Sequence, residues 1–102
     1  MLSQGTGLTM PLAARGRRQQ PATMPTSAQI RAARGLLGWS QAELATRAGL
    51  SARTIERAER GEGMPQVTVR TLEAIARTLR AGGIEFLGNA NGLGVRLRPR
   101  RD

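Results

Sequence analysis

Between Ser40 and Gly61 the chain is punctuated twice by the same two signals, a hydroxyl residue that can cap a helix start and a glycine that can stop its end. Ser40 and Glu43 have capping-box spacing, and Leu44, Ala45 and Ala48 give the inward stripe of a short helix that Gly49 closes. Only Gly49-Leu50 separates it from another helix that opens at Ser51, turns Ile55 and Ala58 inward and runs through Arg60 to Gly61. Isolated helices below ~12–15 residues are marginal in water. Two such helices across so tight a turn must therefore be held at a fixed angle by packing against something else.

The flanks provide it. Thr26 and Gln29 form a capping-box pair ahead of Ile30, Ala33 and Leu37, so a first helix is expected from Ser27 to Leu37, ended by Gly38. Trp39 is expected as core or lid among Leu36, Leu37 and Leu44. After a loop from Gly61 to Pro65, a fourth helix puts Val69, Leu72, Ile75, Ala76 and Leu79 on one face and Arg70, Glu73 and Arg77 on the other, and stops at Gly82-Gly83. The period then becomes two. Ile84 and Phe86, then Leu93, Val95 and Leu97, alternate with polar residues or glycine, which reads as a terminal β-hairpin. A turn at Asn91-Gly92 pairs Phe86 with Leu97 and Glu85 with Arg98; a register longer by one pair is also open.

Composition removes most chemistry. The 102 residues contain no Cys, His, Tyr or Lys, and the only Asp is Asp102. Thiolate nucleophiles, Cys/His zinc sites and Ser-His-Asp triads are excluded, and scattered glutamates are a poor basis for paired-carboxylate metal chemistry. No enzyme activity, metal or cofactor is expected. No apolar run approaches the ~20 residues that span a bilayer, and the N-terminus lacks the apolar centre of a signal peptide. A soluble, cytoplasmic protein is expected. Sixteen arginines against seven acids leave a net charge of +9, which favours a polyanionic partner, most commonly nucleic acid. With Trp39 and Phe86 the only aromatics, a stacking platform for single strands is not expected.

Residues 1–25 hold three prolines, three glycines and the cluster Arg15, Arg17, Arg18, with no apolar period, the texture of disordered chain. Met24 stands directly before the first helix signal. The segment is therefore either an extension ahead of a start at Met24 or a basic arm that lies along a DNA groove.

On the third helix, Arg53, Arg57 and Arg60 fall within about 60° of one another, opposite Ile55 and Ala58. A basic stripe of this kind is either a solvated face or a surface for the DNA major groove, where arginine makes bidentate bonds to guanine O6 and N7. The preceding tight turn and the overall charge favour the groove, with Arg53 and Arg57 as base readers. Ser51 and Thr54 flank the helix start, where a hydroxyl can cap the helix or reach a phosphate. Gln41, at the start of the second helix, is either a phosphate ligand beside the backbone N–H groups or a plain exposed glutamine. Arg34 shares the apolar face of the first helix and Glu59 the inward side of the third. Each charge alone would be costly to bury, so the two are expected to pair and brace one helix on the other.

Residues 27–80, and in particular Gly38-Trp-Ser-Gln-Ala-Glu-Leu-Ala45, Ala48-Gly-Leu-Ser51, Thr54-Ile55 and Glu59-Arg-Gly61, resemble the Cro/C1-type (XRE) helix-turn-helix family of bacterial and phage regulators. The resemblance implies a mainly α, four-helix domain over 26–81, followed by the hairpin and basic tail over 82–102. It also implies that the third helix enters the major groove and that Arg34 pairs with Glu59. Base reading then falls on Ala52, Arg53 and Arg57, with phosphate contacts at Gln41 and near Arg60. The implied function is sequence-specific regulation of transcription, as a repressor bound to double-stranded DNA at the nucleoid. The chain departs from the family in its basic arm and in carrying a hairpin where a fifth helix is usual. A homodimer is expected, with the hairpin either pairing across a two-fold axis or covering the helical core. The alternative function is an antitoxin-like or coactivator-like module that binds a protein partner on the same scaffold.

Overall fold

Local signals set the helix ends. The computed structural model describes residues 24–99, in the order α1 (Ser27–Leu37), α2 (Gln41–Ala48), α3 (Ala52–Ala58), α4 (Val69–Ala81), β1 (Ile84–Asn89) and β2 (Gly92–Leu97). Thr26, Ser40, Ser51 and Thr68 each cap a helix, their side chains accepting from the backbone N–H three residues on. Gly38 and Gly49 close α1 and α2 with φ of 73° and 74°, the left-handed conformation in which a β-carbon is strained. At Thr26 both halves of the capping box form. At Ser40 only one half does, because the Glu43 carboxylate turns forward to accept from Arg47 Nε and Nη2 at 3.1 and 2.9 Å.

The four helices close on one core. Ile30 and Ala33, Leu44 and Ala45, Ile55 and Ala58, and Leu72, Ile75, Ala76 and Leu79 are buried together with Ile84 of β1. Met24, Leu37, Trp39, Leu50, Val67, Phe86 and Val95 pack around them. Several expectations are corrected here. Val69 is 68% exposed and Val67 packs inward instead, because Val69 opens α4 on the solvent side of its first turn. Leu36 is 48% exposed, outside the core, while Trp39 packs against the core and is covered by the Arg47 guanidinium, 4.3 Å from the ring centroid. Met24 and Pro25, expected in the arm, belong to the packed body: Pro25 is fully buried and Met24 lies against the core. The cluster Arg15, Arg17, Arg18 lies outside the described residues.

The hairpin pairs in a different register from the one expected. Phe86 faces Val95 and Glu85 faces Arg96, with Ala90-Asn91 as the turn between the Asn89 and Gly92 pair. The shift moves each partner by two residues, and a strand has a period of two, so either register keeps the apolar side chains on one face. The turn decides between them: Asn91 N–H donates to Asn89 Oδ1 at 2.7 Å, which fixes the loop one residue earlier. Glu85 pairs with Arg96 directly and with Arg98 at 3.7 Å. Gln29 then ties the hairpin to α1. Its Oε1 accepts from Thr26 N–H, while its Nε2 donates to the carbonyls of Leu87 and Gly94 at 3.0 and 2.9 Å.

Candidate nucleic-acid interface

α3 spans only seven residues, Ala52–Ala58, and owes its position to what grips it. Ile55 and Ala58 are buried in the core, and the C-terminal end is seized by one side of α1. Ser27 Oγ donates to the Ala58 carbonyl at 2.6 Å, and Arg31 Nη1 donates to the carbonyls of Glu59 and Gly61 at 2.6 and 2.5 Å. These donors, spaced four residues apart on α1, meet the carbonyls at the end of α3, which the helix itself leaves unpaired, and the Gly61 carbonyl of the loop beyond it. A cation beside a helix C-terminus also has the favourable sign for the helix dipole.

The expected pair of Arg34 and Glu59 completes the grip. Arg34 Nε and Nη2 donate to Glu59 Oε2 and Oε1 at 2.7 and 3.0 Å, a bidentate geometry, and Glu59 is 4% exposed. Arg34 Nη1 donates to the Trp39 carbonyl at 3.0 Å, which links the pair to the turn between α1 and α2. Gln41 Nε2 donates to Glu59 Oε1 at 3.0 Å. Gln41 is therefore half-buried in this network, and the reading of it as a plain exposed glutamine is corrected.

The opposite side of α3 is open. Ser51, Ala52, Arg53, Arg57 and Arg60 are all exposed, and Thr54 is half-exposed. Ser51 Oγ accepts from Thr54 N–H at 3.1 Å and lies 2.9 Å from the Thr54 hydroxyl, so these two form one polar cluster at the helix start. Arg57 walls two shallow hollows. Thr54 and residues 64–68 line one of them with it, and Arg60 lines the other along the loop from Gly61 to Gln66. The expected helix through Arg60 is shortened: α3 ends at Ala58 with Glu59 as its cap, and Arg60 N–H closes a tighter turn onto the Arg57 carbonyl at 3.3 Å. Arg60 thus stands on the turn beyond the helix, beside Arg57, while Arg53 stands apart near the N-terminal end.

Two positioning residues escaped the sequence reading. In the sequence Ser27 reads only as the first helical residue, and Arg31 carries no distinguishing pattern, although it lies one turn before Arg34. Their main-chain acceptors, the carbonyls of Ala58, Glu59 and Gly61, leave no mark in the residue pattern.

What this arrangement can do follows from its asymmetry. α3 is anchored at its C-terminal end and inner side and presents its N-terminal end and a row of arginines outward. Such a helix fits the major groove, where recognition helices contact base edges with their N-terminal residues. No helix among the described residues is long and apolar enough to cross a membrane. Residues 30–86, more than half of the chain, match the helix-turn-helix family. No protein of curated function matches the chain.

Proposed function

The chain belongs to the Cro/C1-type helix-turn-helix family of DNA-binding regulators, and from that premise we propose that it is a sequence-specific repressor that reads the major groove with α3. The observation that carries this reading is the anchoring of α3 by Ser27, Arg31 and Arg34 at one end, with Arg53 and Arg57 exposed on the other side. A short helix held this firmly can present side chains to base edges without ordering itself on binding.

In this function Arg53 and Arg57 donate to guanine O6 and N7, and Ala52 supplies apolar contact at the groove floor. Ser51, Thr54 and Arg60 donate to phosphates on either side of the groove. Gln41 uses its second amide hydrogen in the same way, its first being committed to Glu59. The protein acts as a homodimer on double-stranded DNA, at half-sites one helical turn apart, roughly 34 Å. Support for the dimer comes from the hairpin: the described sheet has two strands and therefore open edges. Its site of action is the nucleoid in the cytoplasm.

The test is selection of bound duplexes from a random library at about 150 mM salt, where nonspecific phosphate binding is weakened. A palindromic motif enriched by the intact chain and lost with Arg53→Ala, Arg57→Ala is the expected result. Enrichment of no sequence by either chain moves the function to the protein-binding module.

A further inference from the structure

One group on the outward side of α3 has no role in that function. Glu56 is exposed between Arg53 and Arg60. Among the described residues, Glu43, Glu59, Glu62 and Glu85 are all in ion pairs, whereas Glu56 and Glu73 are in none. Glu73 sits on α4. Glu56 alone stands unpaired on the basic face, although Arg53 lies three residues before it and Arg60 four after, spacings that favour pairing on a regular helix. Part of the reason is visible: α3 ends at Ala58, so Arg60 has left the helical spacing.

An unpaired carboxylate on a surface that meets DNA is opposed by the phosphates, and excluding water from it without a donor costs further binding free energy. The base edges of the major groove offer donors only at amino groups, cytosine N4 and adenine N6. Adenine presents its amino group beside the N7 acceptor, a pattern that suits an amide and opposes a carboxylate. Guanine and thymine present acceptor oxygens. Cytosine is therefore the one base with which Glu56 gains a hydrogen bond and meets no acceptor.

We propose that Glu56 is a specificity-determining residue that accepts a hydrogen bond from cytosine N4, at a position beside those read by Arg53 and Arg57. The inference rests on the reading of the major groove by α3. Arginine and glutamate on one helix then divide the two edges of G·C pairs between them. Glu56 also selects by exclusion, since guanine or thymine at its position sets oxygen against oxygen.

The experiment compares the intact chain with Glu56→Gln and Glu56→Ala in duplex selection at about 150 mM salt. Competition titrations of the selected site, with each of the four bases at the assigned position, follow. The intact chain is expected to prefer cytosine there by about tenfold. Glu56→Gln shifts the preference to adenine, whose N6 and N7 match an amide, and Glu56→Ala flattens that position while the others keep their bases. The same motif from all three chains, with affinity raised uniformly by loss of a negative charge, overturns the proposal and leaves α3 as the reader. An intact chain that enriches no sequence overturns the groove reading as well, so the two failures are distinguishable. Thermal melting of each variant checks that substitution at this exposed position leaves the fold unchanged.

Discussion

The two sides of α3 differ in how completely their polar groups are used. On the inner side Glu59 accepts from Arg34 twice and from Gln41 once, and the last carbonyls are taken by Ser27 and Arg31. On the outer side Arg53, Glu56 and Arg57 point away from the body without ion pairs among the described residues. The contrast teaches that the inward groups holding this seven-residue helix and its cap residue Glu59 in place are not the groups it leaves open to a partner. Charge on the inner side is compensated within the fold, and charge on the outer side is left for a partner to compensate.

The strongest way to break this division is to remove the buried acceptor. Glu59→Ala leaves Arg34 without its partner in a mostly enclosed position, and a loss of about 3 to 5 kcal/mol in folding free energy is expected by chemical denaturation. A loss under about 1 kcal/mol would place the pair among surface bridges and remove the inner side's special status. Next comes the outer side, where Arg53→Ala or Arg57→Ala is expected to weaken binding to the selected site by about 1 to 3 kcal/mol and to relax selection at one base position. Folding free energy should change by less than about 0.5 kcal/mol, as is usual for exposed substitutions. If either variant instead lost affinity equally for all sequences, that arginine would belong to a phosphate.

Ser51 sits where the two sides meet, and sharpens the boundary between them. Ser51→Ala removes the cap that accepts from Thr54 N–H and is expected to cost about 1 kcal/mol of stability, read from the denaturation midpoint. Affinity measured well below that midpoint separates a further contribution to phosphate binding. The smallest effect is expected from Glu43→Ala, which removes an exposed i,i+4 pair with Arg47 on α2. A change of about 0.3 to 0.5 kcal/mol there gives the baseline against which the other three are judged.

Much of the body was legible because its signals are local. A hydroxyl three residues before a backbone N–H caps the helix wherever that helix is later packed, so Thr26, Ser40 and Ser51 are found where spacing puts them. The pair of Arg34 and Glu59 was legible for a different reason: helical periodicity turns both charges inward, and burial forces opposite charges together. Arg31 was less legible, since two of its partners are the backbone carbonyls of residues 59 and 61, which leave no mark in a residue code, and the third is Glu62 on the loop beyond α3. Gln41 looked like a surface residue because α2 alone does not reveal that Glu59 lies beside its first turn.

By itself, then, the amino-acid sequence determined the order of the helices, the ends of α1 and α2, the inward charges Arg34 and Glu59, the basic outer face and the exclusion of Cys and His chemistry. These follow from contacts within a turn or two, or from residue types that are simply missing. Tertiary structure alone decided that Gln29 docks the hairpin with its nitrogen while capping α1 with its oxygen, and that Pro25 is core. It also decided that Val69 faces outward while Val67 packs inward, and that Phe86 faces Val95. In each of these cases two or more local arrangements satisfy the same periodicity. The choice between them is made by groups that are distant in the chain and meet only when the core closes, or by a single turn that fixes one register.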